Sequence, residues 1–409
     1  MSLNHKLNVS WHNDLAPQWL STVYVAILGF MVSVLLAREL GVEDFGNYSY
    51  VLSLAGIFLI FQDGGYKTLI FRESIDDFDQ SLLSSGVAHV MVITVLGCLL
   101  IVFLQPQRWL AILTAVGCMG LVVLTGFVSS LLKGKGDFKL DAIWKMVIRS
   151  LTAATILWVL FFFEESSITS LFVGWSMALL LALIWPVAKG YLRWPSFNFK
   201  SELFKSSMVF LTIDVATVFY FRSDIVLLEY FGNREGDVGQ YSAAYRILEG
   251  IILLATPVAM IAFRALRLQS QNKKKFFHLF RVLILSMFSV AILIASIGAL
   301  WGEEFMVFVF GAQYLTSGTL LFWLLLAMIF ILPNYILTQG AIALNRESGY
   351  AKIVIVVAIL NIVLNIRLIP EFGAMGAAWA TIFAEGVLCI GLSWMLLNEW
   401  RKSRNANWS

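Results

Sequence analysis

Long apolar runs and short polar breaks alternate along the whole chain. VYVAILGFMVSVLLA (23–37) carries no charge, and runs of this kind recur to the C-terminus. They are continuously apolar and lack the two-residue alternation of barrel strands, so they predict helices. About 20 such residues cross roughly 30 Å of hydrocarbon. Twelve spans are predicted, at 19–40, 46–70, 82–104, 109–132, 139–163, 167–189, 204–231, 238–264, 278–300, 316–344, 350–369 and 374–398.

Composition agrees with this pattern. Hydrophobic residues make up 59% of the 409 positions and charged residues 13%, with 32 phenylalanines and 14 tryptophans. An ordinary soluble domain is about 25% charged. The chain therefore reads as an all-α integral membrane protein. A net charge of +3 gives no case for nucleic acid. Cys98, Cys118 and Cys389 sit singly inside apolar runs, a spacing that suggests packing rather than metal binding or a disulfide. The first sixteen residues are polar and lack a cleavage site, so the first span reads as a retained signal anchor.

Lysine and arginine choose the sides. With twelve spans, 21 of them fall on the side of both termini and 4 on the other: Arg38, Arg108, Arg234 and Arg367. Positive residues favour the cytoplasmic side, which places both termini in the cytoplasm. All loops are short, and the longest polar stretch is RLQSQNKKK (267–275).

A hexapeptide returns. DFGNYS (44–49) reappears as DVGQYS (237–242), each time where the second span of a six-span half enters from the outer face. Asp44 and Asp237 suit helix N-caps, Gly46 and Gly239 permit close approach, and Tyr48 and Tyr241 suit interface depth. Two helices sharing a cap by chance would explain the motif alone. Its matched position favours a duplicated six-helix unit: lobes 1–195 and 196–409, joined by a basic linker at 189–205. Parallel repeats of this kind are a transporter architecture, with substrate sites at the repeat interface and access alternating by rocking.

Ionisable residues at membrane depth are costly and usually face an interior or a cavity. Asp141, Lys145 and Arg149 lie on one face of the fifth span. Arg149 is about 16 Å along it by helix rise. Arg222 and Asp224 lie on the seventh span, and Arg246 and Glu249 on the eighth. These cations suit a phosphate or pyrophosphate group. The structural alternatives are an Asp141–Lys145 pair and the cross-helix pairs Arg222–Glu249 or Arg246–Asp224. Asp63, Asp214, Asp224, Glu249 and Glu385 are candidates for coupling a proton or sodium ion; no other cofactor and no metal site is expected. His89 reads as a satisfied core histidine. Pro257 and Pro333 are hinge candidates, because proline removes an intrahelical hydrogen bond. Gly373, Ala377, Thr381 and Ala384 form a small-residue packing stripe. GKG (134–136) reads as a basic turn. No P-loop, GxSxG or HExxH pattern occurs, so no enzyme is indicated.

The chain resembles the bacterial polysaccharide flippases, the Wzx-like branch of the multidrug/oligosaccharidyl-lipid/polysaccharide exporter superfamily. The resemblance is carried by ARELGVEDFGNYS (37–49), QDGGYKTLIFRE (62–73), LLKGKGDFK (131–139), RSDIVLLEYFGNREGDVGQYSAAYRILE (222–249), FGAQYLTSG (310–318) and ILNIVLNIRLIPEFGAMGAAWAT (359–381). It implies twelve helices in two lobes around a central cavity, in the inner membrane. It implies transfer of an undecaprenyl-pyrophosphate-linked oligosaccharide, such as an O-antigen repeat unit of lipopolysaccharide, to the periplasmic leaflet. Polymerase and assembly proteins of the same pathway are the partners it suggests. Of the family's cavity cations, Arg222 and Arg246 have motif support; Lys145 and Arg149 rest on depth and facing. Two rival functions are a drug or metabolite exporter of the same fold, which calls for a carboxylate-rich interior, and a membrane-embedded polymerase, which calls for a long outer loop.

Overall fold

The computed structural model describes residues 11–74, 80–104, 108–163, 167–197, 208, 211, 215, 223–232 and 234–405. Among these the regular elements are helices: α1 (Trp11–Asp63), α2 (Tyr66–Glu73), α3 (Ser81–Leu104), α4 (Trp109–Gly134), α5 (Phe138–Phe162), α6 (Ile168–Ala188), α7 (223–231), α8 (Asp237–Leu268), α9 (Lys273–Phe310), α10 (Leu315–Ala343), α11 (Glu347–Phe372) and α12 (Ala374–Asn405). Nine helices among the described residues are long and apolar enough to cross a membrane, judged by length and composition. Most of the expected seventh span lies outside the described residues.

The expected spans map closely onto these helices, with three differences. The first two spans form one run, α1, of 53 residues. That is about 80 Å by helix rise, more than twice the hydrocarbon thickness. The run is two helices meeting at Gly41, whose φ of 77° and ψ of 179° break the helical path. The second span then stops at Asp63, because Gly64 and Gly65 adopt φ of 56° and 77° and α2 restarts after them. Finally, α9 continues to Phe310, past a non-helical Trp301 at φ −134° and ψ 15°.

The chain divides into two compact units, one of residues 1–39 and 51–218 and one of residues 40–50 and 219–409. In the first unit α4 is the central helix. Of its most apolar window 56% is buried, the highest share in that unit. Tyr66, Leu69 and Ile70 of α2 pack with Leu82 and Val90 of α3 against Val123, Phe127 and Leu131 of α4. Val128 and Leu132 meet Trp144 of α5 and Ala182 of α6 on its other side. In the second unit α10 has this role, with 67% of its window buried. Ile336, Leu337 and Ala341 pack with Phe276 and Phe280 of α9 and Ala384, Leu388 and Leu392 of α12. Lipid tails are as apolar as these side chains, so close packing and internal hydrogen bonds hold such helices together.

The repeated hexapeptides meet inside the second unit. A Cβ on Gly46 would lie 2.8 Å from the backbone nitrogen of Gly239, and one on Gly239 would overlap the carbonyl oxygen of Val42. Two backbones touch here, and only glycine leaves the space. The aspartates do otherwise than expected. Asp237 is the first residue of α8 but does not cap it; its Oδ2 accepts from the backbone N–H of Ala374, the first residue of α12, at 3.0 Å. Asp44 is exposed and accepts no side-chain hydrogen bond from the described residues. Tyr48 and Tyr241 are both buried among the helices.

Candidate functional site

In the first unit a fully buried carboxylate organises the polar centre. Asp141 lies in the first turn of α5, just after the turn at Lys135–Gly136, where Gly136 takes a φ of 83°. Its Oδ2 is 2.8 Å from Lys145 Nζ and 4.0 Å from Lys133 Nζ. Gln18 Nε2 donates to the same oxygen at 2.8 Å and to the carbonyl of Phe138 at 2.7 Å. Ser129 Oγ donates to Oδ1. Lys145 also donates to Gln18 Oε1 at 2.8 Å. The Asp141–Lys145 pair expected as the structural alternative is therefore present, and it draws in α1 and α4. Its i, i+4 spacing on one helix makes the pairing local.

A second ion pair lies at the end of α1. Asp63 is buried, 3.9 Å from Lys67 Nζ, and accepts weakly from the Lys67 backbone N–H at 3.3 Å. Lys67 and Lys145 are both electrostatic neighbours of Lys133. Three lysines thus face two aspartates. The lysine side chains retain 26–35% exposure, whereas Asp141 is fully buried. An ammonium has three donors, and these pairs leave some of them unused.

Arg149 stands one turn beyond Lys145 and is half-buried. Its guanidinium lies against Gly29 of α1, where a Cβ would overlap Nη2. Nearby, Tyr24 and Ser150 share a 2.7 Å hydrogen bond that joins the same two helices. Lys145 belongs to the Asp141 cluster, and Arg149 lies one turn further along α5 against Gly29. Lys67, Lys133, Gln18 and Ser129 were not foreseen as members. The Asp63–Lys67 spacing was a usable signal, whereas nothing in the sequence marks Gln18.

The second unit arranges its charges differently. Arg246 pairs with Glu249 at 2.8 Å, three residues along the same helix, with 17% and 32% side-chain exposure. The expected Arg246–Asp224 pair does not form. Asp224 is buried and accepts from Tyr241 Oη at 2.6 Å and from the N–H of Ile225 at 2.8 Å. Thr381 of the small-residue stripe is an electrostatic neighbour of Tyr241, and Tyr48 and Tyr245 are further electrostatic neighbours of Arg246. Sequence spacing could not have chosen between a partner on another helix and one on the same helix. Arg222 and Asp214 lie outside the described residues.

Deeper in the second unit, Glu385 of α12 is buried and accepts from Asn334 Nδ2 at 2.7 Å. The same Nδ2 donates to the Glu385 backbone carbonyl at 3.0 Å. Asn334 follows the buried Pro333, through which α10 runs without a break. Position 257 lies within α8. His89 is a core histidine, as expected: its Nε2 is 2.9 Å from the carbonyl of Phe61 and its ring packs on Tyr66.

Comparison with known proteins places this arrangement. The probable low-salt glycan biosynthesis flippase Agl15 of Haloferax volcanii is 24% identical over 386 residues, covering 90% of this chain and 80% of that protein. Among solved structures, the lipid II flippase MurJ in an inward closed conformation superposes with a TM-score of 0.75 at 16% identity, covering 94% of this chain and 88% of that one. A multidrug resistance MATE family transporter of the MOP superfamily, in an inward-facing conformation, gives 0.71 at 12% identity, with 93% and 96% covered. These structural likenesses show the fold. The family described as polysaccharide biosynthesis protein matches residues 18–266, more than half of the sequence, and the chain belongs to that family.

Proposed function

We propose that this protein is a flippase that moves an oligosaccharide linked to undecaprenyl pyrophosphate from the cytoplasmic to the periplasmic leaflet by alternating access. The observation that carries the reading is the surplus of positive charge in the first unit. Lys67, Lys133 and Lys145 face Asp63 and Asp141, with Arg149 one turn deeper. A pyrophosphate cannot cross hydrocarbon without counter-charge, and lysine and arginine supply it through charge-assisted hydrogen bonds. Membership of the polysaccharide biosynthesis family and the flippase names of the relatives support the same substrate class. Arg222 and Arg246 extend the basic surface in this reading. The prenyl tail stays in lipid while the head group passes through a cavity between two lobes, 1–195 and 196–409.

The remaining parts of the reading follow from charge and location. The split of 21 cations against 4 puts both termini in the cytoplasm of an inner membrane. Coupling to a proton or sodium ion falls to the buried carboxylates Asp63, Asp224 and Glu385, with Glu249, beside Arg246, and Asp214 as further candidates. Pro257 and Pro333 are the hinges. A drug exporter of the same fold would want a carboxylate-rich interior, opposite to the balance around Asp141. Polymerase and assembly proteins of the pathway are the expected partners.

The test is glycan display in a strain lacking its own flippase. Arg149→Ala and Arg246→Ala each lose surface glycan by about tenfold or more, roughly 1.4 kcal/mol of lost interaction, at normal protein level in the membrane. Full display by both variants would remove the cation assignment.

A further inference from the structure

One end of the second unit gathers basic residues. Arg267 closes α8, Lys273, Lys274 and Lys275 open α9, and Arg346 and Lys352 stand at the start of α11. The acids nearby are Glu347 and Glu399, and Glu399 is taken by Arg346 at 2.7 Å. Within this end lies a cleft of about 200 Å³ lined by Arg267, Ser270, Gln271, Lys273 and Asn345, among others. Water occupies about 30 Å³ per molecule, so the cleft has room for a phosphate group with waters around it.

The walls of this cleft are built rather than incidental. Arg267 Nη1 donates to the carbonyl of Ala343 at 2.8 Å and to Asn345 Oδ1 at 2.6 Å. Those bonds use one nitrogen; a guanidinium has five N–H donors, and Nε and Nη2 carry the other three. Asn345 has a φ of 56°, and it is the one non-glycine at positive φ among the described residues. It allows the N–H of Arg346 to reach back to the carbonyl of Ala341 at 2.9 Å, closing the end of α10. The facing turn is fixed by Gln269 N–H to Leu266 O at 3.1 Å, Ser270 N–H to Arg267 O at 3.2 Å and Asn272 N–H to Gln269 O at 2.9 Å. Asn272 Oδ1 caps α9 through Lys275 N–H at 3.1 Å, and Lys273 lines the cleft at the start of that helix.

We propose that this cleft binds a phosphate group, with Arg267 and Lys273 as its cationic ligands. A fixed guanidinium beside a mobile ammonium, with a serine and an amide at hand, matches the donor needs of a phosphate oxygen cluster. An anionic lipid headgroup is one source and a soluble phosphate the other. The location favours lipid. Leu268, next to Arg267, is 77% exposed, and beyond its three lysines α9 carries the exposed Val282, Leu285 and Phe288. Basic clusters at the mouth of a membrane helix attract anionic lipids.

The test uses the full-length protein in detergent micelles and reads lipid retention by native mass spectrometry. It needs no transport, so it stands or falls apart from the flippase reading. Wild-type protein is expected to retain phosphatidylglycerol in preference to phosphatidylcholine. Lys273→Gln lowers that retention about fivefold, while Lys274→Gln, which does not line the cleft, leaves it within twofold. Lys273→Gln carries the decision because Arg267 also caps α10 and its loss would disturb folding. Inorganic phosphate is the competing probe. If it binds in a Lys273-dependent manner and phosphatidylglycerol does not, the site stands and its ligand is soluble. Equal retention of phosphatidylglycerol in wild type and Lys273→Gln without Lys273-dependent binding of inorganic phosphate, or an equal loss in Lys274→Gln, overturns the proposal.

Discussion

Each unit buries an aspartate, and each neutralises it by a different chemistry. Asp141 in the first unit is held by two lysines, a glutamine and a serine. Asp224 in the second is held by a tyrosine hydroxyl and a backbone N–H, while Arg246 has its own glutamate on the same helix. The first solution is ionic and leaves positive charge to spare. The second is a hydrogen-bonded carboxylate on α7, with an ion pair between residues of one turn of α8. The two buried aspartates thus sit among different partners, although each unit as a whole carries slightly more lysine and arginine than aspartate and glutamate. The local inventory of partners, more than the presence of an acid, decides what a polar centre offers to a ligand.

The contrast can be broken most forcefully at Asp141. Asp141→Leu strands two lysines around an apolar group. Removing one partner of a fully buried pair typically costs ~3–5 kcal/mol; with both lysines about one-quarter to one-third exposed the cost falls at or below the lower end of that range, and a fall in thermal unfolding temperature of the detergent-solubilised protein is expected. An unchanged transition would mean the lysines are solvated without the carboxylate, and the ionic description of the first unit would fail. Tyr241→Phe is the matching test in the second unit. It withdraws one donor from Asp224 but leaves the Ile225 N–H in place, for a cost of about 1–3 kcal/mol. A loss as large as that of Asp141→Leu would erase the distinction drawn between the two centres. The smallest effect belongs to Glu249→Gln. Its pair with Arg246 is partly exposed, so the stability change is within ~1 kcal/mol. Any larger change in unfolding temperature would show that Arg246 depends on Glu249 for its place.

Gly46 and Gly239 give a sharper reading of packing than the sequence alone allowed. The recurrence of an acid, a glycine, a tyrosine and a serine at one spacing marked the two sites, and close approach was foreseen for the glycines. That they approach each other was not. Nor was it legible that Asp237 would cap α12 instead of its own helix, or that Tyr241 would turn inward to Asp224. The caps and tyrosines were assigned from local propensity and from preferences for the membrane interface. A contact from a helix far along the chain overrode the cap at Asp237, and Asp224 gave Tyr241 a buried partner.

Most of the helices, their lengths and their membrane character were fixed by sequence alone, because backbone groups in hydrocarbon must satisfy each other within a helix. Apolar run length then determines each span almost by itself. The i, i+4 register also put Asp141, Lys145 and Arg149 on one face before any fold was known. Tertiary structure decided the rest: the breaks at Gly41 and Gly64–Gly65, and the recruitment of Gln18, Ser129 and Lys133 to Asp141. It also gave Glu249 rather than Asp224 to Arg246. A side chain's partner depends on which helices happen to be neighbours, and that is a property of packing in three dimensions that no one-dimensional spacing contains.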